Sequence, residues 1–162
     1  MAEPMSVMNL RPKRELFEEI AHIGCIDPAE SAADKLSAIA WRIPDRVRGG
    51  QDDDPYLVRH IHDLAILKDA ALQHGAFSGL VAISMQHDSD RPRNDVSISS
   101  LMASDKFQRM LAVLQSDNEY AQEYKRFVSG VSYAAPDQTP SFTEAIDALR
   151  KLVKALLPDT RI

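Results

Sequence analysis

Residues 34–64, which read DKLSAIAWRIPDRVRGGQDDDPYLVRHIHDL, decide the fold of this chain. Apolar residues recur in both halves of the stretch at the three- and four-residue spacing of an amphipathic helix. A charged loop with two glycines separates the halves. We therefore predict two helices that each bury one face and carry charge beside it. Their apolar residues are Leu36, Ile39, Ala40 and Ile43 in the first helix and Leu57, Ile61 and Leu64 in the second.

An Asp-Pro pair marks the expected start of each helix. Asp27-Pro28 and Asp54-Pro55 both place an N-cap aspartate before a proline that suits the first helical turn. Pro44 is expected to stop the first helix, because proline lacks the N–H that an interior position needs. These signals predict helices over about residues 28–43 and 55–73.

The charged residues of these helices follow a pattern of their own. On a helical wheel Lys35 and Arg42 lie about 20° apart, so they share one strip beside the buried face. Arg59 and Asp63 are four residues apart, but the order of cation before acid is the less favourable one for a pair within a helix. A partner on the other helix is therefore expected for Asp63, with Lys35 as the first candidate. Basic rims on an ordinary amphipathic helix remain the alternative explanation.

The rest of the chain also favours helices. Aromatic residues make up only 6% of the sequence and there are six glycines, which is a composition poor in strand formers and turns. We predict one compact, all-α domain over residues 1–162, with a flexible lead-in at residues 1–10. Further helices are expected over residues 11–23, 77–86, 105–114, 118–128 and 142–157, the last after a capping box at Ser141 and Glu144.

Composition limits the partners and the compartment. The net charge of −5 gives no overall attraction to nucleic acid, so RNA could bind only through a local basic patch. No stretch has the length and apolarity of a signal peptide or a membrane span, and Cys25 is the only cysteine. These features predict a cytoplasmic protein without a membrane partner.

The two helices resemble the C-terminal half of the AbiEii/AbiGii family of nucleotidyltransferase toxins. Residues 33–38 together with Arg42 match the family's pattern (A)xKLxAxxxR, and residues 59–64 match RHxxDL. The resemblance covers about residues 26–70. It implies that Lys35 and Asp63 are catalytic residues. Arg42 and Arg59, the basic residues beside them, are candidates for binding substrate.

The same resemblance implies an activity and a departure from it. Family members transfer nucleotides from NTP to RNA, notably transfer RNA, and a cognate antitoxin neutralises them. Such transfer needs paired carboxylates for divalent metal and a phosphate-binding loop. Residues 49–54, GGQDDD, contain these residue types, but the acids follow the glycines at once, and no apolar strand carries them. A solvated loop with an N-cap aspartate explains this stretch better.

We therefore expect this chain to be the C-terminal helical part of such a toxin and to be inactive alone. Mg²⁺ and NTP would be bound only if a separate N-terminal half completed the site, and this chain alone would hold no cofactor and no metal. His60 and His62 point about 200° apart on a helix and cannot share an ion.

Two kinds of partner follow from this expectation. A surface with a basic rim at Lys35, Arg42 and Arg59 and apolar neighbours such as Ile39 would contact a separately encoded catalytic half or a second copy of the chain. An antitoxin and RNA are further candidate partners. The alternative function is a non-enzymatic helical interaction module, or a degenerate remnant that keeps the scaffold of the family.

Overall fold

A computed structural model describes residues 25–131 and 138–157 of the chain. Within these ranges the protein forms helices and no strand, so the all-α prediction is confirmed. The predicted lead-in at residues 1–10 and the helix predicted over residues 11–23 lie outside the described residues. The described residues form six α-helices, α1 (Pro28–Asp45), α2 (Val58–Gln73), α3 (Phe77–Asp88), α4 (Ala103–Ser116), α5 (Glu119–Val131) and α6 (Phe142–Leu156), with a 3₁₀ helix (Val96–Ser100) between α3 and α4.

Helix α1 is the centre of the fold. It packs against α2, α3 and α4, while α2 also packs against α5 and α6. Ala29, Ala32 and Ala33 are buried, and such small side chains allow neighbouring helices to approach closely. Leu36 and Trp41 on the same helix are also buried, and burial of a large apolar side chain contributes about 1.5–3 kcal/mol. Residues 34–64 therefore supply most of α1, the helix at the centre of the fold.

The start of α1 is as predicted, but its end is not. Asp27 caps the helix, since its Oδ1 accepts a hydrogen bond of 2.7 Å from the backbone N–H of Ala29. The helix then continues through Pro44 to Asp45, two residues beyond the predicted end. Pro44 lies in the last turn, and burial of Ile43 against the core holds the residue before the proline in a helical conformation. Packing outweighs the local signal here.

Helix α2 begins at Val58, three residues later than predicted. The Asp54-Pro55 pair instead forms a turn, in which Asp54 Oδ1 accepts a hydrogen bond of 2.9 Å from the N–H of Tyr56. The N–H of Leu57 closes the turn on the carbonyl of Asp54 at 3.0 Å. The predicted end of this helix at Gln73 is confirmed.

Helix α6 closes the fold over α2. Its capping box is confirmed: Ser141 Oγ accepts a hydrogen bond from the N–H of Glu144, and Glu144 Oε2 accepts one of 2.8 Å from the N–H of Ser141. The tie between the two residues fixes where the helix begins. Buried Leu149 and Leu152 then face the core.

Hydrogen bonds between side chains join α1 to α3. Ser37 Oγ donates to Asp88 Oδ2 at 2.6 Å, and Ser84 Oγ donates to Asp34 Oδ1 at 2.5 Å. Trp41 Nε1 donates to the carbonyl of Met85 at 3.3 Å. Each bond runs from one helix to the other, so the two helices are held at a fixed distance and register.

Candidate functional site

The two residues that the motif spacing singles out meet across α1 and α2. Lys35 Nζ lies 3.3 Å from Asp63 Oδ2, and their side chains are 26% and 38% exposed. The expectation that Asp63 finds its partner on the other helix is therefore confirmed. Pairs with this exposure stay accessible to ligands and gain little stability, at most about 1 kcal/mol.

The two arginines of the motifs share one acid. Asp54 Oδ2 accepts from Arg42 Nη2 at 3.0 Å and from Arg59 Nη2 at 3.3 Å. Burial of Asp54 favours its neutral form, but the hydrogen bonds from Tyr56 N–H and Arg42 outweigh burial and lower the pKa of the carboxyl group. Asp54 is therefore a charged anchor that holds both arginines beside the turn before α2.

A cleft of about 500 Å³, which we call the motif cleft, opens beside this pair of helices. Lys35 and Arg42 line it, whereas Asp63 and Arg59 are not among its lining residues. The structure therefore brings Lys35 and Arg42, two of the four predicted site residues, into one cavity. The other two lie outside the cavity but are linked to it by ion pairs: Asp63 binds Lys35, and Arg59 shares the Asp54 carboxylate with Arg42. The remaining lining residues of the motif cleft are Ile26, Ser31, Asp34, Ala38, His60, Ser84, His87, Asp88 and Arg91.

His60 in the second motif adds a neutral group to the cleft. Burial, together with the positive charges of Arg59, Lys35 and Arg42, lowers the pKa of His60 to about 4. Its Nδ1 is buried without a hydrogen-bond partner. At neutral pH the ring is therefore an uncharged polar group among cations. Sequence reasoning considered His60 only as a metal ligand.

Arg91 is a cleft residue that the sequence analysis missed. It follows α3, pairs with Asp88 Oδ1 at 2.8 Å, and its side chain is mostly exposed. Asp88 itself is buried and accepts a hydrogen bond from Ser37. Asp88 is therefore held against α1 and directs Arg91 to the motif cleft.

A larger cavity of about 700 Å³, the loop cleft, lies on the other side of Arg42. Four arginines line it, but so do Asp45, Asp52, Asp53 and Asp54, which offset the positive charge. The motif cleft has fewer acids, and both of these accept hydrogen bonds from serines. The smaller cavity is therefore the better site for an anion.

The glycine-containing loop beside the loop cleft is held by charge. Arg46 binds Glu123 at 2.6 Å and Asp53 at 2.7 Å, and Arg48 binds Glu123 at 2.9 Å. The Arg48 guanidinium lies 4.5 Å from the ring centre of Tyr120. Burial opposes the charge of Arg46, but the hydrogen bonds that its guanidinium donates to Glu123 and Asp53 outweigh burial and raise its pKa. Residues 49–52 are exposed, so the prediction of a solvated loop is confirmed, and Arg46 and Arg48 in addition fasten the loop to α5.

Ile39 is not part of an exposed contact surface, contrary to prediction. It is fully buried in the core, on the side of α1 that packs against its neighbours. The wheel places Ile39 near the charged strip, but α2 and α3 cover that side of the helix. The large apolar residue exposed beside Lys35 and Arg42 is Ile26 instead, which is 72% exposed and lines the motif cleft.

The described residues contain no group of three His, Cys, Asp or Glu side chains that could hold a metal ion. His62 lies 5.7 Å from the ring of Phe127, ring centre to ring centre, inside the core. Within residues 25–131 and 138–157, no helix combines the length and apolarity needed to cross a membrane.

Comparison with known proteins identifies the family of this chain. The family model described as nucleotidyl transferase AbiEii toxin, type IV toxin–antitoxin system, matches residues 3–148, which is most of the chain and includes both motif helices. Searches of curated proteins and of solved structures gave no match. By this match the chain belongs to the AbiEii family of type IV toxins, the family that its two helical motifs resemble.

Proposed function

We propose that this chain is the helical part of an AbiEii nucleotidyltransferase that transfers nucleotides from NTP to RNA, notably transfer RNA. A family of type IV toxin–antitoxin systems implies an antitoxin partner. Lys35 and Asp63 are the proposed catalytic residues, and Arg42 and Arg59 the proposed substrate-binding residues. The cytoplasm is the proposed compartment.

The observation that carries this proposal is the motif cleft with Lys35 and Arg42 in its wall. Ammonium and guanidinium groups on one wall suit the oxygens of a triphosphate. Asp63, 3.3 Å from the Lys35 ammonium, holds that group at the edge of the cleft. In the proposed reaction Lys35 binds the phosphates and Asp63 positions it. Arg42 neutralises charge that develops on the leaving group.

Arg59 has a different place in this proposal. Its side chain is 45% exposed and pairs with Asp54 from outside the motif cleft. A long guanidinium with that exposure can contact an RNA phosphate while Asp54 still holds Arg42. We therefore assign RNA backbone contact to Arg59 and triphosphate contact to Arg42.

The acids near the cleft do not fit a Mg²⁺ site. Asp53 and Asp54 are bound by Arg46, Arg42 and Arg59, and a metal would have to displace these cations. Asp34 and Asp88 accept short bonds from serine hydroxyls. We therefore propose that the metal-ligating carboxylates come from a separate N-terminal catalytic half, and that this chain alone transfers no nucleotide.

The non-enzymatic interaction module remains the second candidate. It is favoured by the fact that Lys35, Arg42 and Arg59 all have carboxylate partners in this structure, as structural residues would. This alternative predicts that removal of any one of these ion pairs leaves the rate of nucleotide transfer unchanged.

A transfer assay separates the two functions. The chain is incubated with labelled NTPs, Mg²⁺ and total transfer RNA, alone and with a separately encoded catalytic half. We expect label in RNA only with both, reduced at least about 100-fold by Lys35→Ala or Asp63→Ala. Lys68→Ala is the matched control, since Lys68 forms an ion pair of 3.2 Å on α2 away from the cleft. Equal labelling with Lys35→Ala and wild type would exclude a catalytic Lys35.

Transfer by the chain alone would show instead that its own residues hold the metal. If the chain and the catalytic half form a complex but transfer no nucleotide, the interaction module remains as the function.

A further inference from the structure

A third cavity, of about 420 Å³, lies between α1, α3, α4 and the end of α6. We call it the Trp41 cleft. Its walls are mostly apolar, and its volume falls within the range of small-molecule sites. It shares no lining residue with the motif cleft. The apolar walls include Trp41, Val81, Met85, Phe107, Leu156 and Leu157.

One wall of the Trp41 cleft carries a buried cation. Lys106 is only 4% exposed, and its ammonium lies 4.2 Å from the ring centre of Trp41. The ammonium donates one hydrogen bond, to the carbonyl of Leu101. An ammonium has three donors, so two remain. None of the ion pairs among the described residues includes Lys106.

The charge around Lys106 is not balanced locally. Burial and the positive charge of Arg93 lower the pKa of Lys106, and Asp105 opposes this only in part. Arg93 itself lies 4.3 Å from the ring centre of Trp41. Two cations therefore flank one indole ring, and a buried cation without a counter-ion costs free energy.

The backbone adds to the positive potential. Helix α4 begins at Ala103, which lines the Trp41 cleft, and the preceding Met102 makes no side-chain cap. The first N–H groups of that helix are therefore not capped by a side chain, and the positive end of the helix lies at the cleft. Cavity, buried ammonium and helix end all favour a negative group at one place.

We propose that the Trp41 cleft binds a small organic anion with an apolar body, such as a medium-chain carboxylate. The carboxylate would accept hydrogen bonds from Lys106 at the start of α4. The apolar body would lie against Trp41, Met85 and Phe107. An anion at this position would supply the counter-ion that Lys106 lacks among the described residues, and the apolar walls would exclude water from the pair.

The chain carries its own reporter for this site. Trp41 is the only tryptophan in the sequence, so intrinsic fluorescence observes the cleft directly. Octanoate is titrated into the full chain, with 1-octanol and octylammonium as probes that share the apolar tail and differ in charge. We expect a saturable fluorescence change with octanoate, at a midpoint at least 10-fold lower than with 1-octanol, and none with octylammonium.

Substitutions of Lys106 test the role of the cation. Lys106→Met keeps an apolar stem and removes the charge, so octanoate and 1-octanol should then bind with equal midpoints. Lys106→Arg keeps the charge and should still prefer octanoate. The logarithm of the ratio of the 1-octanol midpoint to the octanoate midpoint should be at least half of its wild-type value. Lys125→Met removes an exposed lysine on α5 and should leave both midpoints unchanged.

Circular dichroism checks that Lys106→Met folds. If it does not, Ala82→Phe replaces it: Ala82 is an exposed residue of the cleft wall, and the larger ring should raise the octanoate midpoint at least 10-fold. The proposal is overturned if octanoate gives no saturable change or does no better than 1-octanol. It is equally overturned if Lys106→Met still prefers octanoate to 1-octanol, or if Ala82→Phe leaves the octanoate midpoint unchanged.

Discussion

Lys35 Nζ and Asp63 Oδ2 lie 3.3 Å apart, so the two motif residues of different helices form one interhelical ion pair. Both side chains are partly exposed, and water screens such pairs strongly. The core around them is already complete, with Leu36 and Leu64 fully buried beside them. The pair therefore adds little to folding, which favours a role in binding.

The first prediction concerns the stability of this pair. Lys35→Ala and Asp63→Ala should each change the free energy of unfolding by less than about 1 kcal/mol, because the pair is solvent-screened. The double mutant should show a coupling below about 1 kcal/mol. Urea unfolding measures the free energy of unfolding of the two single variants and the double mutant, with Lys68→Ala as the control. A loss above about 3 kcal/mol from either single change would identify the pair as a structural one.

The second prediction concerns the bonds that fasten the loop to α5. Glu123→Gln leaves the buried Arg46 guanidinium, which is 5% exposed, without its main carboxylate. A buried charge left without any partner costs about 3–5 kcal/mol, but Asp53 still binds Arg46 at 2.7 Å in this variant. We therefore expect a destabilisation of about 1–3 kcal/mol in urea unfolding. Glu119→Gln, which removes the exposed pair with Arg126 on the same helix, should cost less than about 1 kcal/mol. Equal effects of the two changes would contradict this assignment.

The parts of the site that could be predicted are local in sequence. The spacing of Lys35 and Arg42 follows from the helical repeat alone. The unfavourable order of Arg59 before Asp63 indicated that Asp63 has a partner elsewhere, and the structure shows that partner to be Lys35. The caps at Asp27 and Ser141 were equally readable, because capping residues act within three positions.

The parts that could not be predicted depend on distant residues. Glu123 is more than seventy positions from Arg46 and Arg48, so nothing near the loop shows that it is fastened. The burial of Ile39 agrees with the apolar face that the helical spacing predicts, and only its second prediction, as part of an exposed contact surface, was wrong. Pro44 shows the same limit, since tertiary packing extends α1 past its local stop signal.

The third prediction concerns pH. The pKa of His60 in the folded protein, about 4, is below its ordinary value of 6.5, so the unfolded chain binds a proton that the folded chain does not. His60 therefore costs no stability above pH 6.5, and the folded protein loses stability as the pH falls from about 6.5 towards 4. The expected loss is on the order of 3 kcal/mol at most.

His60→Gln tests this, because glutamine cannot titrate. The variant should lose less stability than wild type between pH 7 and pH 4.5, as measured by urea unfolding at each pH. His74→Gln is the control, since His74 is exposed after α2. If wild type and His60→Gln have the same pH dependence over this range, His60 is not the group responsible.

The fourth prediction concerns the contact with a separate catalytic half. Ile39 is buried, so the rim beside the motif cleft consists of the charged groups Lys35, Arg42 and Arg59 with the exposed Ile26 as its large apolar side chain. A partner that docks there must be held by charge and hydrogen bonds more than by apolar area. Exposed charge pairs are screened by salt, so the affinity of the complex should fall at least about 10-fold between 0.05 and 0.5 M NaCl.

Light scattering after size-exclusion chromatography measures the complex, with the chain alone as the test for self-association. Arg59→Gln removes a rim charge from an exposed side chain and should weaken the complex about 10-fold at low salt. Arg126→Gln removes a charge of similar exposure from α5 and should not weaken it. The two variants carry the same change in net charge, so a difference between them locates the contact at the rim. Equal weakening would mean that only the overall charge matters, and an affinity that is independent of salt would place the contact on another surface.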